Sequence, residues 1–171
     1  MATMTQNTSA GNSPSLHQSS WEPLLCVGAQ EVFEMMIGTT LTRCSPPEPG
    51  AFSEFTAIVG LAGPICGLFN VRCSSRAAVL ITARMLHTSP EEAAHETADA
   101  MGEVCNMVIG HFKSKLGKIG EDSLLSVPTV VKGSDYKLRP LAKGSVIESF
   151  LSFAGELLCF RLEYKLTCQL S

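Results

Sequence analysis

Apolar residues recur along this chain in two periods, one helical and one strand-like. From Pro23 to Leu41 the stretch PLLCVGAQEVFEMMIGTTL repeats at three- and four-residue spacing, which predicts a helix with Pro23 in its first turn. CSPPEPG follows as a loop. Glu54–Gly60 and Ile65–Cys73 alternate apolar and polar residues and are joined by LAGP, the pattern of a β-hairpin. SRAAVLITARML then predicts a helix over Ser75–Leu86. At the next boundary Ser89 can cap, Pro90 fits the first helical position and Glu92 completes a capping box, so one long helix is expected from here to Leu116.

Beyond that helix, LSVPTVVKG reads as a strand whose Pro128 favours a sheet edge or a strand end. Residues 144–153 form another strand, and Ala154-Gly155 makes a tight turn into a run with Leu158, Phe160, Leu162, Tyr164, Leu166, Cys168 and Leu170 on one face. The opposite face carries Arg161, Glu163, Lys165, Thr167 and Gln169, as in a half-solvated antiparallel strand. The expected architecture is a two-layer α+β domain, with helices on one face of a mainly antiparallel or mixed sheet. An internal echo fits it: EVFEMMIG at Glu31–Gly38 matches EVCNMVIG at Glu103–Gly110, offset by 72 residues (103 minus 31). The chain therefore reads as a duplicated helix-plus-strands unit. Residues 1–20, rich in Ser, Thr, Asn and Gly, read as a flexible tail before one domain over 21–171.

Composition narrows the function. With 45% apolar and 17% charged residues in 171, the chain can bury a substantial core. A net charge of −3 offers no general attraction to nucleic acid or to an anionic membrane, and no segment reaches transmembrane length. The seven cysteines are odd in number and contain no Cys-x-x-Cys pair. They predict neither a disulfide framework nor a zinc site; they read as small core hydrophobes in a cytoplasmic protein.

On a wheel of about 100° per residue, Ala94, Ala98, Met101, Cys105, Val108, Ile109, Phe112 and Leu116 gather on one side of the long helix, facing the core. Glu96, Asp99, Glu103, Asn106 and Gly110 form a narrow stripe opposite. A solvated face would explain the carboxylates. It would not explain Asn106, a poor helix former, or Gly110, which costs roughly 1 kcal/mol against Ala and lets another molecule approach closely. The stripe reads as a docking surface.

GEVCNMVIGHFKSKL followed by LSVPTVVKG resembles the E-x-x-N-M-x-x-G helix and later S-x-P-T-V-V-x-G strand of the CheX/CheC chemotaxis phosphatases. The likeness extends more loosely over residues 22–171. It implies an enzyme that hydrolyses the phospho-aspartate of a CheY-like response regulator. Glu103 would pair with the receiver's phosphate-contacting lysine, Asn106 would orient the attacking water, and Glu96, Asp99 and Gly110 would contact the partner. An amide suits this task because it both donates to and accepts from water, whereas a carboxylate would repel the phosphoryl group. The resemblance also implies Mg²⁺ on the receiver, no cofactor bound by this chain alone, and a homodimer paired through sheet edges. The long terminal strand offers one such edge.

The first copy keeps Glu31 but has Glu34 where the amide would be, with Leu24 and Val27 in place of Glu96 and Asp99, so a single active helix is expected. His95-Glu96-x-x-Asp99 falls short of a zinc-protease motif because the second histidine is missing. The rival reading is a non-catalytic module that binds a receiver or another signalling protein, akin to the flagellar-switch proteins that share the fold.

Overall fold

The computed structural model describes residues 18–48, 54–133, 136, 138 and 144–167. The elements run α1 (Gln18–Ile37), β1 (Thr42–Arg43), β2 (Phe55–Ala62), β3 (Ile65–Cys73), α2 (Ser75–Leu86), α3 (Pro90–Ala93), α4 (Thr97–Ser114), α5 (Lys118–Glu121), β4 (Leu124–Leu125), β5 (Thr129–Lys132), β6 (Ser145–Phe153) and β7 (Glu156–Leu166). Alternation puts Phe55, Ala57 and Val59 of β2, Phe69 and Val71 of β3, Leu151 and Phe153 of β6, and Phe160 and Leu162 of β7 into one core. There they meet Leu25, Val32 and Phe33 of α1, Ile81 of α2, and Met101, Val104, Val108 and Phe112 of α4. The result is the expected two-layer α+β architecture on a seven-stranded sheet.

Every pairing is antiparallel, in the order β1-β6-β7-β3-β2, with β4 and β5 both lying along β2. That order carries a pseudo-twofold axis between β3 and β7. Each half is a helix (α1 or α4), a short strand (β1 or β5) and a hairpin (β2–β3 or β6–β7). Each short strand crosses over to flank the other half's hairpin: β1 pairs with β6, and β5 with β2. The two helices pack directly on each other. Gly28 makes this possible, since a Cβ there would lie 3.3 Å from the Phe112 backbone nitrogen. Trp21 stacks on Tyr164 at 4.8 Å and meets Phe112 edge-on at 5.9 Å, which ties α1, α4 and β7 together.

Several expectations need correction. The long helix is two: α3 ends at Ala93, and α4 starts at Thr97 after a turn. Ser89 caps α3 as expected, accepting from the Glu92 amide. The buried Thr97 hydroxyl then donates to the Ala93 and Ala94 carbonyls, and this local bond competes with a straight helix. Ala94, placed in the core by a continuous wheel, is consequently exposed. Pro23 lies inside α1 rather than in its first turn, because the helix begins at Gln18; residues 1–17 of the expected tail lie outside the described residues. The terminal strand is not an edge, since β7 is paired on both sides; the edges are β1 and the β4–β5 segment. Among the described cysteines, Cys26, Cys73, Cys105 and Cys159 are buried, Cys44 is half-buried, and Cys66 is exposed rather than in the core. Cys168 and Leu170, expected on the terminal strand, lie outside the described residues.

Pro128 falls in the gap between β4 and β5, where a missing N–H costs no ladder bond. The gap is bridged by Ser126, whose amide donates to the Gly60 carbonyl and whose Oγ accepts from the Gly60 amide, both at 2.9 Å. Phe112 joins the two helices to Trp21 and is fully buried. Truncating Phe112→Ala should therefore cost about 3–5 kcal/mol of unfolding free energy, measured by urea denaturation.

Candidate functional site

The rotation of α4 is set by its buried side: Met101, Val104, Cys105, Val108, Ile109 and Phe112 have no solvent exposure. Glu103 is left exposed and Asn106 half-exposed, three residues apart on the same continuous helix. Residues at this spacing are neighbours on a helix surface. Neither side chain is engaged by another group among the described residues. Asp99 stands one turn before Glu103 and is exposed. Gly110 leaves open space, since a Cβ there would meet nothing within 4 Å. Glu96 does not share this geometry. It sits at the cap position of α4 with φ −96° and ψ 4°, in the turn that interrupts the expected helix.

Alongside Glu103 lies an open groove of about 360 Å³ lined by Ala98, Asp99, Gly102, Glu103, Pro128 and Val130. The β4–β5 wall was missed in the sequence. Its one signal there is Gly102, a helix-interior glycine next to Glu103, whose missing Cβ lets Pro128 approach; a Cβ built there would lie 3.3 Å from Pro128 Cβ. The arrangement offers a free carboxylate, a free carboxamide and an adjoining cleft on one rigid helix. It can dock a cationic group and hold a water, as the residues stand.

Three buried cysteines are poor nucleophiles. Burial pushes the Cys73 and Cys159 thiols up to about 12, and the Cys105 thiol higher still, where the reactive thiolate is scarce. Among the described residues no three His, Cys, Asp or Glu side chains converge as a metal site, and no helix is long and apolar enough to cross a membrane.

A family model described as Chemotaxis phosphatase CheX matches residues 55–150. The chain belongs to the CheX family. Its fold is that of CheX from Vibrio vulnificus, with a TM-score of 0.74 at 23% identity, covering 86% of this chain and 98% of that one. CheX of Borrelia burgdorferi, in a structure with CheY, BeF3 and Mg²⁺, gives 0.70 at 18% identity over 85% of this chain and 98% of that one. FliY of Thermotoga maritima gives 0.61 at 15% identity over 90% and 92%. No curated protein sequence matches.

The internal repeat of this CheX-family chain puts Glu31 of α1 where Glu103 stands in α4. Glu31, however, is occupied. Lys115 Nζ lies 2.6 Å and His111 Nδ1 3.3 Å from its carboxylate, so the first copy's acid clamps the two helices together. Glu34, at the position matching Asn106, is an exposed carboxylate, and Gly38, matching Gly110, terminates α1 at φ +64°. Hydrogen bonding from Lys115 holds the Glu31 carboxyl below the usual carboxylate range; partial burial opposes this and His111 adds to it. A depressed folded-state pKa stabilises above the unfolded value, about pH 4.3 for Glu, and the contribution is lost as pH falls through the lower folded value. Lys115→Met should therefore lower the thermal midpoint at pH 7, and by progressively less as pH falls below the ordinary Glu range, as followed by circular dichroism.

Proposed function

We propose that this chain hydrolyses the aspartyl phosphate of a CheY-like receiver, with Glu103 docking the receiver's phosphate-contacting lysine and Asn106 orienting the attacking water. The observation that carries the reading is the outward, unengaged Glu103–Asn106 pair on a helix whose rotation the core fixes. Membership of the CheX family supports it. So does the Borrelia structure, in which a protein of this fold accompanies CheY, BeF3 and Mg²⁺.

The step needs little covalent help. Phosphoryl transfer runs through a loose, in-line transition state, so aligning a water supplies much of the acceleration. The Asn106 amide oxygen accepts a hydrogen bond from the water, and its NH₂ can donate to the same oxygen or to a phosphoryl oxygen. The water oxygen bonds to phosphorus as the phosphorus–oxygen bond to the receiver's aspartate breaks. Aspartate leaves as carboxylate, and the water's proton passes to the released phosphate or to solvent. Mg²⁺ belongs to the receiver and neutralises charge there; this chain supplies no cofactor of its own. Gly110 and Asp99 flank the pair as contact surface, while Glu96 lies beyond it in the turn.

The working form we propose is a cytoplasmic homodimer paired through a free sheet edge, β1 or the β4–β5 segment. The alternative reading is a flagellar-switch-like module that binds a receiver or another signalling protein without catalysis. Phosphate release from a phosphorylated receiver with Mg²⁺ separates the two. Wild type should accelerate release; Asn106→Ala should slow it at least about 100-fold with binding retained, and Glu103→Ala should weaken binding. No acceleration across the host's receivers would leave the binding module standing.

A further inference from the structure

The groove beside Glu103 has walls of unlike chemistry. Asp99 and Glu103 give one wall two carboxylates, and Pro128 and Val130 make the facing wall apolar. Both walls are held firmly. Gly102 lets Pro128 sit against α4, and the paired Ser126–Gly60 hydrogen bonds pin the segment leading into Pro128. At about 360 Å³ the space has room for a long side chain rather than a water or two. A long basic side chain matches it, because lysine and arginine lay an apolar stem on apolar surface while the charged head seeks a carboxylate.

Charge balance points the same way. Two carboxylates beside an incoming phosphoryl anion repel it unless each is matched by a cation. The receiver lysine proposed for Glu103 matches one. Asp99, exposed and unengaged among the described residues, remains.

We propose that this groove is a second docking subsite, which takes a further lysine or arginine side chain of the receiver, its stem against Pro128 and Val130 and its cation on Asp99. The inference rests on the receiver-phosphatase reading for the identity of the partner. It makes Asp99 a selector among receivers: those with a basic residue at the matching distance from the phosphorylated aspartate dock well, and others dock poorly.

Binding of the full-length chain to a host CheY-like receiver, activated with BeF3 and Mg²⁺, tests this without relying on turnover. Asp99→Asn should raise Kd about tenfold and flatten its salt dependence. Asp99→Glu should recover most of the loss, and Ala98→Leu, which fills the groove without altering charge, should weaken binding similarly. In phosphate release the Asp99→Asn loss should fall on KM, with kcat within about twofold of wild type. Unchanged Kd and salt dependence in both Asp99→Asn and Ala98→Leu would overturn the subsite. Asn106→Ala is scored separately: full turnover in that variant would sink the phosphatase reading, while the Asp99 titration would still decide the groove.

Discussion

The burial of one face of α4 is the constraint on which the site depends. Six side chains without solvent exposure fix the helix in rotation, and a rotation large enough to turn Glu103 or Asn106 inward would pull several of them out of the core. The two polar groups need no support of their own. They are aimed by what lies opposite them, and the hydrophobic contact that secures the fold also sets their outward geometry.

The pseudo-twofold arrangement relates two helices whose outward faces differ. In the echoed segments, Val32 and Val104, Phe33 and Cys105, and Ile37 and Ile109 are buried alike, so most of the core half is common to both, with Val108 buried where Met36 is exposed. The outward half has diverged. Glu31 has been drawn into contacts with Lys115 and His111, while Glu103 remains unengaged. The same residue type is thus a clamp in one copy and unengaged in the other, and the difference is made by His111 and Lys115 at the end of α4, which have no equivalent reaching Glu103 among the described residues.

Much of this was legible in the sequence wherever a local period matched a buried face. The alternation in β2, β3 and β7 marked them as strands, the Ser89 cap marked a helix start, and the stripe Asp99, Glu103, Asn106, Gly110 follows from helical spacing on α4. Errors arose where a non-local or side-chain bond overrode the pattern. Thr97 satisfies carbonyls that a continuous helix would have used, which removed Glu96 from the stripe and Ala94 from the core. The position of β7 could not be read from its length, because sheet order depends on the crossing of β1 and β5 between halves. The groove's second wall was hidden for the same reason: Pro128 reaches Gly102 only through β5's pairing with β2.

That exchange of short strands has a further consequence for the chain as a folding unit. A half cut out at the boundary between α3 and α4 would lose the strand that finishes its sheet and the helix that covers its core. The duplicated segments are therefore not miniature domains joined in series. Each completes its sheet only with a strand from the other, so the two are coupled through the interleaved long-range pairings.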